Sequence, residues 1–246
     1  MSLSICNEKN WEVTTNLERL RNINTVPQGP RHNPVNHGEA LDLFKNRLID
    51  NNISITKESG LLSHDDLKYV YTAVVKDDTI SDYGFTLGFI NFNNRVKSFT
   101  GLFGETVFVC SNEMFKGETI RDNKRHTKNV WERLTGKVDS IVERFNIFRE
   151  ERFNEIEVMK QRHLEEPEIG KIVLDMHRRH IMSNTNIDRF VREVDTPTHS
   201  CFKDPSVWNI QNAFTEIAKN ISEPTRRIDA TDSFHQLLLP YIPNAA

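Results

Sequence analysis

The sequence predicts an α+β fold in which an antiparallel β-meander packs against one long helix, followed by a smaller helical C-terminal region. Apolar residues alternate with a period of two between residues 53 and 110, and they recur every three or four positions between residues 128 and 164. The first period is typical of strands and the second of helices. Turn-forming residues separate the alternating segments, which favours antiparallel strands joined by short turns.

Composition excludes several classes of protein. Of the 246 residues, 37% are hydrophobic and 27% are charged, which fits neither a disordered chain nor a membrane protein. No apolar run approaches the roughly 20 residues of a membrane-spanning helix, and residues 1–9 lack the pattern of a secretory signal. Three widely spaced cysteines argue for reduced thiols. We therefore expect a cytoplasmic protein without a membrane partner.

Three regions are predicted along the chain. They are an N-terminal arm or loop at residues 1–38, an α+β core domain at residues 39–165 and a helical C-terminal region at residues 166–246. The arm is predicted because three prolines and two glycines lie between residues 24 and 38, and proline has neither a free φ nor a backbone donor.

The core domain is predicted to begin with a helix over residues 39–50, where Leu41, Phe44 and Leu48 share one face. Asn93 and Asn94 predict a two-residue hairpin turn, because Asn adopts positive φ more easily than most residues. Gly101 and Gly104 are interpreted as part of a turn. The predicted strand segments are residues 53–55, 69–75, 85–92, 95–99 and 106–110.

A long helix is predicted over residues 128–164, and Pro167 marks its end because proline disfavours helix in the preceding residue. Pro197 and Pro224 are interpreted as breaks, and residues 240–243 as a tail. The shorter predicted helices cover residues 168–178, 186–193 and 206–220.

Two motifs resemble a known family. In the first, a strand that ends in Cys110 and Asn112 is followed by a spacer and by a basic residue, His126 and Thr127 at the start of the long helix. The second places Trp208 and Asn212 within residues 207–216. Together they resemble the phage- and plasmid-like family that carries the domain of unknown function numbered 932, over about residues 40–220. The resemblance implies a protein of a mobile element, which would lie in the host cytoplasm if a phage encodes it. It also implies that five residues belong to structural motifs: Cys110, Asn112, Thr127, Trp208 and Asn212.

A basic cluster surrounds the predicted start of the long helix. Its cations outnumber the two acids, Asp122 and Glu132, and they can neutralise phosphates beside free helix N–H groups. Since the net charge is −3, contact with nucleic acid requires such a local patch. A solvated charged surface is the alternative interpretation. The cluster comprises Arg121, Lys124, Arg125, His126, Lys128, Arg133 and Lys137.

The preceding hairpin adds Arg95 and Lys97, flanked by Phe92 and Phe99. Aromatic rings beside cations are a physical route to single-strand binding, because bases stack on the rings. Each Phe taken singly also fits packing in the core.

Catalytic and metal-binding interpretations are weaker. Cys110 with His126 as its base would need a third orienting group, and a Cys at the end of an apolar strand is usually a small core residue. His177 and His180 have the spacing of a ligand pair, but Arg178 and Arg179 would oppose a cation. We predict no metal and no cofactor.

The predicted function is non-catalytic binding of single-stranded DNA or RNA by a phage or plasmid protein, in annealing, recombination or replication. A meander followed by a long helix is loosely similar to phage single-strand annealing proteins, although similarity of fold does not establish activity. The alternative is a phage factor that binds a host protein, either an enzyme or a defence system. An uncharacterised enzyme ranks third, and a homo-oligomer is compatible with each.

Overall fold

A computed structural model describes residues 11–30, 32–75, 80–97, 99–108, 112–116 and 130–243, with the backbone alone for residues 112–116 and 130–132. The chain forms two compact units. We call them the sheet unit, Met1–Glu105 with Glu118–Ile147, and the helical unit, Thr106–Gly117 with Phe148–Ala246. The boundaries between units differ from the predicted ones at residues 38 and 165, because one strand and one helix each continue from one unit into the other.

The predicted α+β class is confirmed. Strands follow one another across the sheet in chain order, and the first three neighbouring pairs are antiparallel, as a meander requires. A register shift between Ile55 and Lys57 interrupts the second strand pair. The strands are β1 (Trp11–Val13), β2 (Ile55–Ser63), β3 (Lys68–Val75), β4 (Tyr83–Phe92), β5 (Thr100–Val107) and β6 (Asn112–Lys116).

Two helices of the sheet unit precede β2. They are α1 (Leu17–Arg21) and α2 (His37–Asp50), the second of which confirms the helix predicted at residues 39–50. Phe44 of α2 packs against Tyr71 and Phe89, with ring centroids 5.8 and 5.2 Å apart. The apolar stripe of α2 therefore covers the centre of β3 and β4.

The predicted N-terminal arm is instead part of the folded unit. β1 pairs with β2, and Leu20, Ile23 and Val35 are buried. Each of these apolar residues anchors a short stretch of chain, and the prolines between them only fix the local backbone direction. Because these anchors are widely spaced, they leave no periodic pattern in the sequence.

Two buried asparagines of the β4 end fix the segment that leads into α2. Asn93 Oδ1 accepts from Val35 N–H at 3.0 Å, and the Nδ2 atoms of Asn93 and Asn91 both donate to Val35 O at 2.9 Å. Asn91 Nδ2 also lies 2.9 Å from His37 Nδ1. Because that nitrogen accepts, His37 carries its proton on Nε2, which donates to Asp66 O at 3.1 Å.

The hairpin between β4 and β5 differs from the prediction. Asn93 and Asn94 do begin a turn, but residues 95–97 continue it and β5 starts only at Thr100, so the strand predicted at residues 95–99 is wrong. Arg95 has a φ of 66°, which ends strand geometry at that residue.

Gly101 and Gly104 lie inside β5 rather than in a turn. A Cβ atom at Gly101 would stand 2.7 Å from Cγ1 of Ile141, which belongs to the long helix α3 (Val130–Gln161). The glycine is therefore needed for close approach of helix and strand. Phe103 packs on Phe145 of the same helix, with ring centroids 6.0 Å apart.

The long helix is confirmed as α3, and residues 128 and 129 lie outside the described residues. The helices of the C-terminal region are α4 (Glu166–Arg178), α5 (Asn184–Asp195), α6 (Val207–Ala218) and α7 (Pro224–Leu238). A break does separate α6 from α7 at residues 219–223, as predicted for the Pro224 region, but α7 itself was not predicted. Pro224 stands in the first turn of α7, where its missing N–H has no helical partner to lose. In the described part of the chain, no helix has the length and apolar character to cross a membrane.

Aromatic rings form the centre of the helical unit. Phe214 of α6 and Phe234 of α7 are stacked, with ring centroids 3.9 Å apart and an angle of 3° between the planes. Phe190 of α5 contacts both edge to face. These contacts bring three helices onto one core.

A buried polar cluster connects three helices of the same unit. Arg152 of α3 is 1% exposed, and its guanidinium lies 2.7 Å from Glu155 and 3.0 Å from Oε1 of Gln211 in α6. Glu155 in turn lies 3.2 Å from Nε2 of His235 in α7. A buried charge is tolerated only when it is paired in this way, so we assign the cluster a structural role.

The asparagine contacts predict a local stability effect. Asn93→Ala leaves the buried Val35 N–H without its acceptor, which should lower the free energy of unfolding by about 1–3 kcal/mol. Asn94→Ala, at the half-exposed neighbouring position, should change it by no more than about 0.5 kcal/mol. Urea unfolding measures both values, and hydrogen exchange should show faster exchange of the Val35 amide in Asn93→Ala alone. Unchanged protection of that amide would contradict the assignment.

The close approach at Gly101 predicts opposite effects of two Gly→Ala changes. Gly101→Ala forces a methyl group against Ile141 and should destabilise the protein by about 1–3 kcal/mol. Gly136→Ala, in the same helix α3, meets nothing within 4 Å and should stabilise the protein by about 0.5–1 kcal/mol. Thermal unfolding distinguishes the two, and a Gly101→Ala variant as stable as the parent would refute the close approach.

Candidate nucleic-acid interface

Much of the predicted interface lies outside the described residues. This applies to six residues of the basic cluster region and to Cys110, while Asn112 begins β6 with only its backbone described. The six are Arg121, Lys124, Arg125, His126, Thr127 and Lys128. The described part of the predicted interface consists of Phe92, Arg95, Lys97 and Phe99, together with Arg133 and Lys137 of the basic cluster, which lie in α3.

Both phenylalanines of the predicted interface are buried. Phe92 is 2% exposed and Phe99 is 3% exposed. Phe99 stacks on Phe89, with ring centroids 4.9 Å apart. A base cannot reach either ring face in this conformation, so the structure assigns both residues to the core and corrects the predicted base-stacking role. The physical reason is that both flank the turn at positions where the chain is still packed on the sheet.

The turn itself, residues 93–97, is fixed at its base and exposed at its tip. Asn93 is buried, its side chain is bonded to Val35, and its N–H donates to Leu67 O at 2.7 Å. Arg95 and Val96 are exposed, Val96 by 71%, and Lys97 is partly exposed. We call residues 93–97 the basic turn, since it holds two cations on an anchored backbone.

The basic turn contacts the loop that precedes α2. Arg95 Nη1 donates to Gln28 O at 3.0 Å. Gly29 has a φ of 146°, a conformation that only glycine adopts easily, and a Cβ there would lie 3.3 Å from Arg95 Nη1. The role of this loop was not predicted, and its one signal in the sequence is Gly29, which lies between Pro27 and Pro30.

His32 completes this contact. Its Nδ1 accepts from Gln28 N–H at 2.9 Å. Burial first, and then the charge of Arg95, hold the pKa of His32 below its ordinary value. The neutral form is favoured for a third reason, because a proton on Nδ1 would remove the acceptor for Gln28. Arg95 is consequently oriented by a carbonyl group and faces an uncharged imidazole.

The chemistry available at the basic turn is contact with anions. One N–H of Arg95 is used by Gln28, and a guanidinium has further donors in a planar arrangement that suits phosphate oxygens. A lysine such as Lys97 adds a compact point charge. These groups bind phosphate without reading a base sequence.

Two neighbouring aspartates, Asp65 and Asp66, make contacts that stabilise the local fold. Asp65 accepts from the Ser63 hydroxyl and from Leu67 N–H within the turn between β2 and β3, as is typical of a carboxylate in a turn. Asp66 pairs with Arg19 at 2.8 Å. Across the described ranges, no group of three or more His, Cys, Asp or Glu side chains is arranged to hold a metal ion.

The structure describes the residues of the second motif, whereas the Cys110–His126 part of the first motif lies outside the described residues. Trp208 and Asn212 lie on the buried side of α6, where Asn212 Nδ2 donates to Trp208 O at 2.9 Å. His177 and His180 lie with ring centroids 6.5 Å apart, and His177 Nδ1 contacts Asn184 Oδ1. The proposed Cys110–His126 pair falls outside the described residues, whereas Cys201 is an exposed free thiol.

The surroundings of His32 predict a pH dependence. We expect its pKa in the folded protein to lie below 6.5, and Arg95→Ala to raise the pKa only part of the way, because burial remains. The unfolded state then binds more protons, so the contribution of His32 to stability is complete above pH 6.5 and is lost as the pH falls below it. NMR titration of the His32 ring measures the pKa, with Lys57→Ala as a control. A pKa at or above 6.5 would contradict the described packing.

Comparison with known proteins gives no match: no family model, no curated protein and no solved structure is significantly similar to this chain. The resemblance described from the two motifs therefore stays a prediction.

Proposed function

We propose that this protein binds single-stranded nucleic acid without catalysing a reaction on it, as a phage or plasmid protein would in annealing, recombination or replication. The observation that carries the proposal is the basic turn. It holds the exposed Arg95 and the partly exposed Lys97 on a backbone whose base is fixed by buried hydrogen bonds. An anchored tip holds its cations with less loss of conformational entropy on binding than a free loop does.

The sequence supplies a second argument. Residues 121–137 contain six lysines and arginines and only two acidic residues, in a chain whose net charge is −3. Such local concentration of cations is the usual electrostatic feature of a nucleic-acid contact. The interpretation as a solvated surface predicts that these cations can be reversed in sign without functional effect.

The burial of Phe92 and Phe99 changes the proposed mode of binding. With no stacking rings on the basic turn, its contacts are to phosphates, which single and double strands both carry. The preference for single strands then rests only on the loose likeness of the predicted meander and long helix to phage single-strand annealing proteins, which is a fold-level analogy. Binding through phosphates should be independent of sequence and steeply dependent on salt.

Charge reversal tests the proposal. We expect Arg95→Glu with Lys97→Glu to weaken binding of a labelled single-stranded oligonucleotide and to flatten the plot of log affinity against log salt, by about 0.7 per lost phosphate contact. The triple change of Lys124, Arg125 and Lys128 to Glu should flatten it further. Fluorescence anisotropy at several salt concentrations gives the slopes, and a duplex of the same sequence gives the strand preference.

The matched control reverses two exposed lysines elsewhere, Lys57 in β2 and Lys203 near α6. It changes the net charge by the same amount as the Arg95 and Lys97 pair. Thermal unfolding checks that each variant is folded. If the parent binds no oligonucleotide at low salt, or if the control weakens binding as much as the basic-turn variant, the proposal fails and a host protein becomes the better candidate partner.

A further inference from the structure

The segment between α5 and α6 is held near each of its ends by side-chain contacts. We call residues 196–205 the connector. Near its first end, Glu193 of α5 accepts from Thr198 N–H at 2.7 Å and from the Thr198 hydroxyl at 2.8 Å. At its second end, His163 Nε2 lies 2.6 Å from Oδ2 of Asp204. The second contact joins the connector to the link between α3 and α4, which lies 41 positions earlier in the chain.

Two backbone hydrogen bonds cross the same junction. Leu164 N–H donates to Pro205 O at 2.9 Å, and Val207 N–H donates to Arg162 O at 2.8 Å. The histidine–aspartate contact therefore lies beside two amides whose hydrogen exchange reports whether the junction is closed.

A small cavity lies between the connector and the helices α5 and α6. Its volume is about 10 Å³, roughly the space that one water molecule requires. Phe202 and Pro205 of the connector line it, together with Val194, Ile210 and Ala213 of the two helices. The space is too small for a larger ligand, and movement of the connector would uncover these apolar side chains.

Both ring nitrogens of His163 face oxygen atoms that act as acceptors. Nε2 faces the carboxylate of Asp204, and Nδ1 lies 3.1 Å from Gln161 O. A neutral imidazole has one N–H and satisfies one of the two oxygens, whereas the imidazolium donates to both. We therefore propose that His163 is a pH-sensitive clasp, which holds the second end of the connector when it is protonated and loosens it when the proton is lost.

The surroundings of the ring favour its protonated form. The hydrogen bond to Asp204 first, and then the Gln161 carbonyl group, raise the pKa of His163 above its ordinary value. Partial burial and the charge of Arg162 act in the opposite direction, but Arg162 is itself paired with Glu168. Because the pKa is higher in the folded state, the contribution of the clasp is complete below pH 6.5 and is lost as the pH rises through the folded-state pKa.

NMR titration of the full chain tests the clasp without any substitution. We expect the pKa of His163 to lie above 6.5. Protection of the Leu164 and Val207 amides should fall about 2- to 5-fold between about pH 6 and about pH 9, which is the size of effect expected of an exposed ion pair. Protection factors are compared rather than exchange rates, because amide exchange itself accelerates with pH.

Asp204→Asn keeps an acceptor for the ring and removes its charge. We expect this variant to lower the pKa of His163 towards its ordinary value and to abolish the pH dependence of the two amides. His163→Gln should abolish the pH dependence as well, since glutamine does not titrate. His199→Gln is the matched control and should behave as the parent does, because His199 lies in the connector and its ring contacts Phe202.

Thermal unfolding checks that each variant is folded, which we expect because His163 and Asp204 are exposed. The proposal is overturned if the pKa of His163 in the parent is at or below 6.5, or if both amides are equally protected at the two pH values. It is also overturned if Asp204→Asn retains the pH dependence of the parent. The clasp lies within the helical unit and does not depend on the proposed function.

Discussion

The contact between Val35 and the side chains of Asn91 and Asn93 is the constraint on which the sheet unit depends. It satisfies both backbone groups of a buried residue that belongs to no strand or helix. Through it the β4 end determines where α2 begins, because Asn36, the next residue, caps that helix by accepting from Gly38 and Glu39 N–H. The same amides anchor the base of the basic turn, so core stability and surface geometry share one set of hydrogen bonds.

A second polar contact holds α2 on the sheet. Glu58 of β2 accepts from Tyr71 OH at 2.7 Å and pairs with Lys45 of α2 at 2.8 Å. Burial, together with the hydrogen bond to Glu58, raises the pKa of Tyr71, so the phenol keeps its proton and remains a donor across the physiological range. Phe44 contributes buried apolar area to the packing of α2 on the sheet. The contacts of Glu58 fix the position of α2 along the strands.

Helices and strands could be predicted from the sequence where their residues carry a strong local pattern. The helix at residues 39–50, the long helix and the strands around residues 69–75 and 85–92 carry a clear period, and the structure has all of them. β5 was misplaced because Gly101 marks close packing against a helix that lies 40 positions later, at Ile141. α7 was missed because a proline can begin a helix as well as end one.

At the candidate interface, the cations of the turn were predicted from their charge, but the burial of Phe92 and Phe99 depends on tertiary contacts that no local pattern reports. The buried position of Arg152, whose partner Gln211 lies 59 residues away, is likewise a tertiary property.

The short first strand has a consequence for self-association. β1 pairs with β2 only from Leu61 to Ser63, and in the described part of the chain no strand covers residues 56–59 on that side. An open edge of this kind is a template for addition of a strand from another molecule, which is a route to aggregation. The register shift beside Lys57 disturbs the regular spacing of the edge, and the exposed lysine makes stacking of a second copy unfavourable. This stretch of β2 thereby combines a place in the sheet with protection against intermolecular β-pairing.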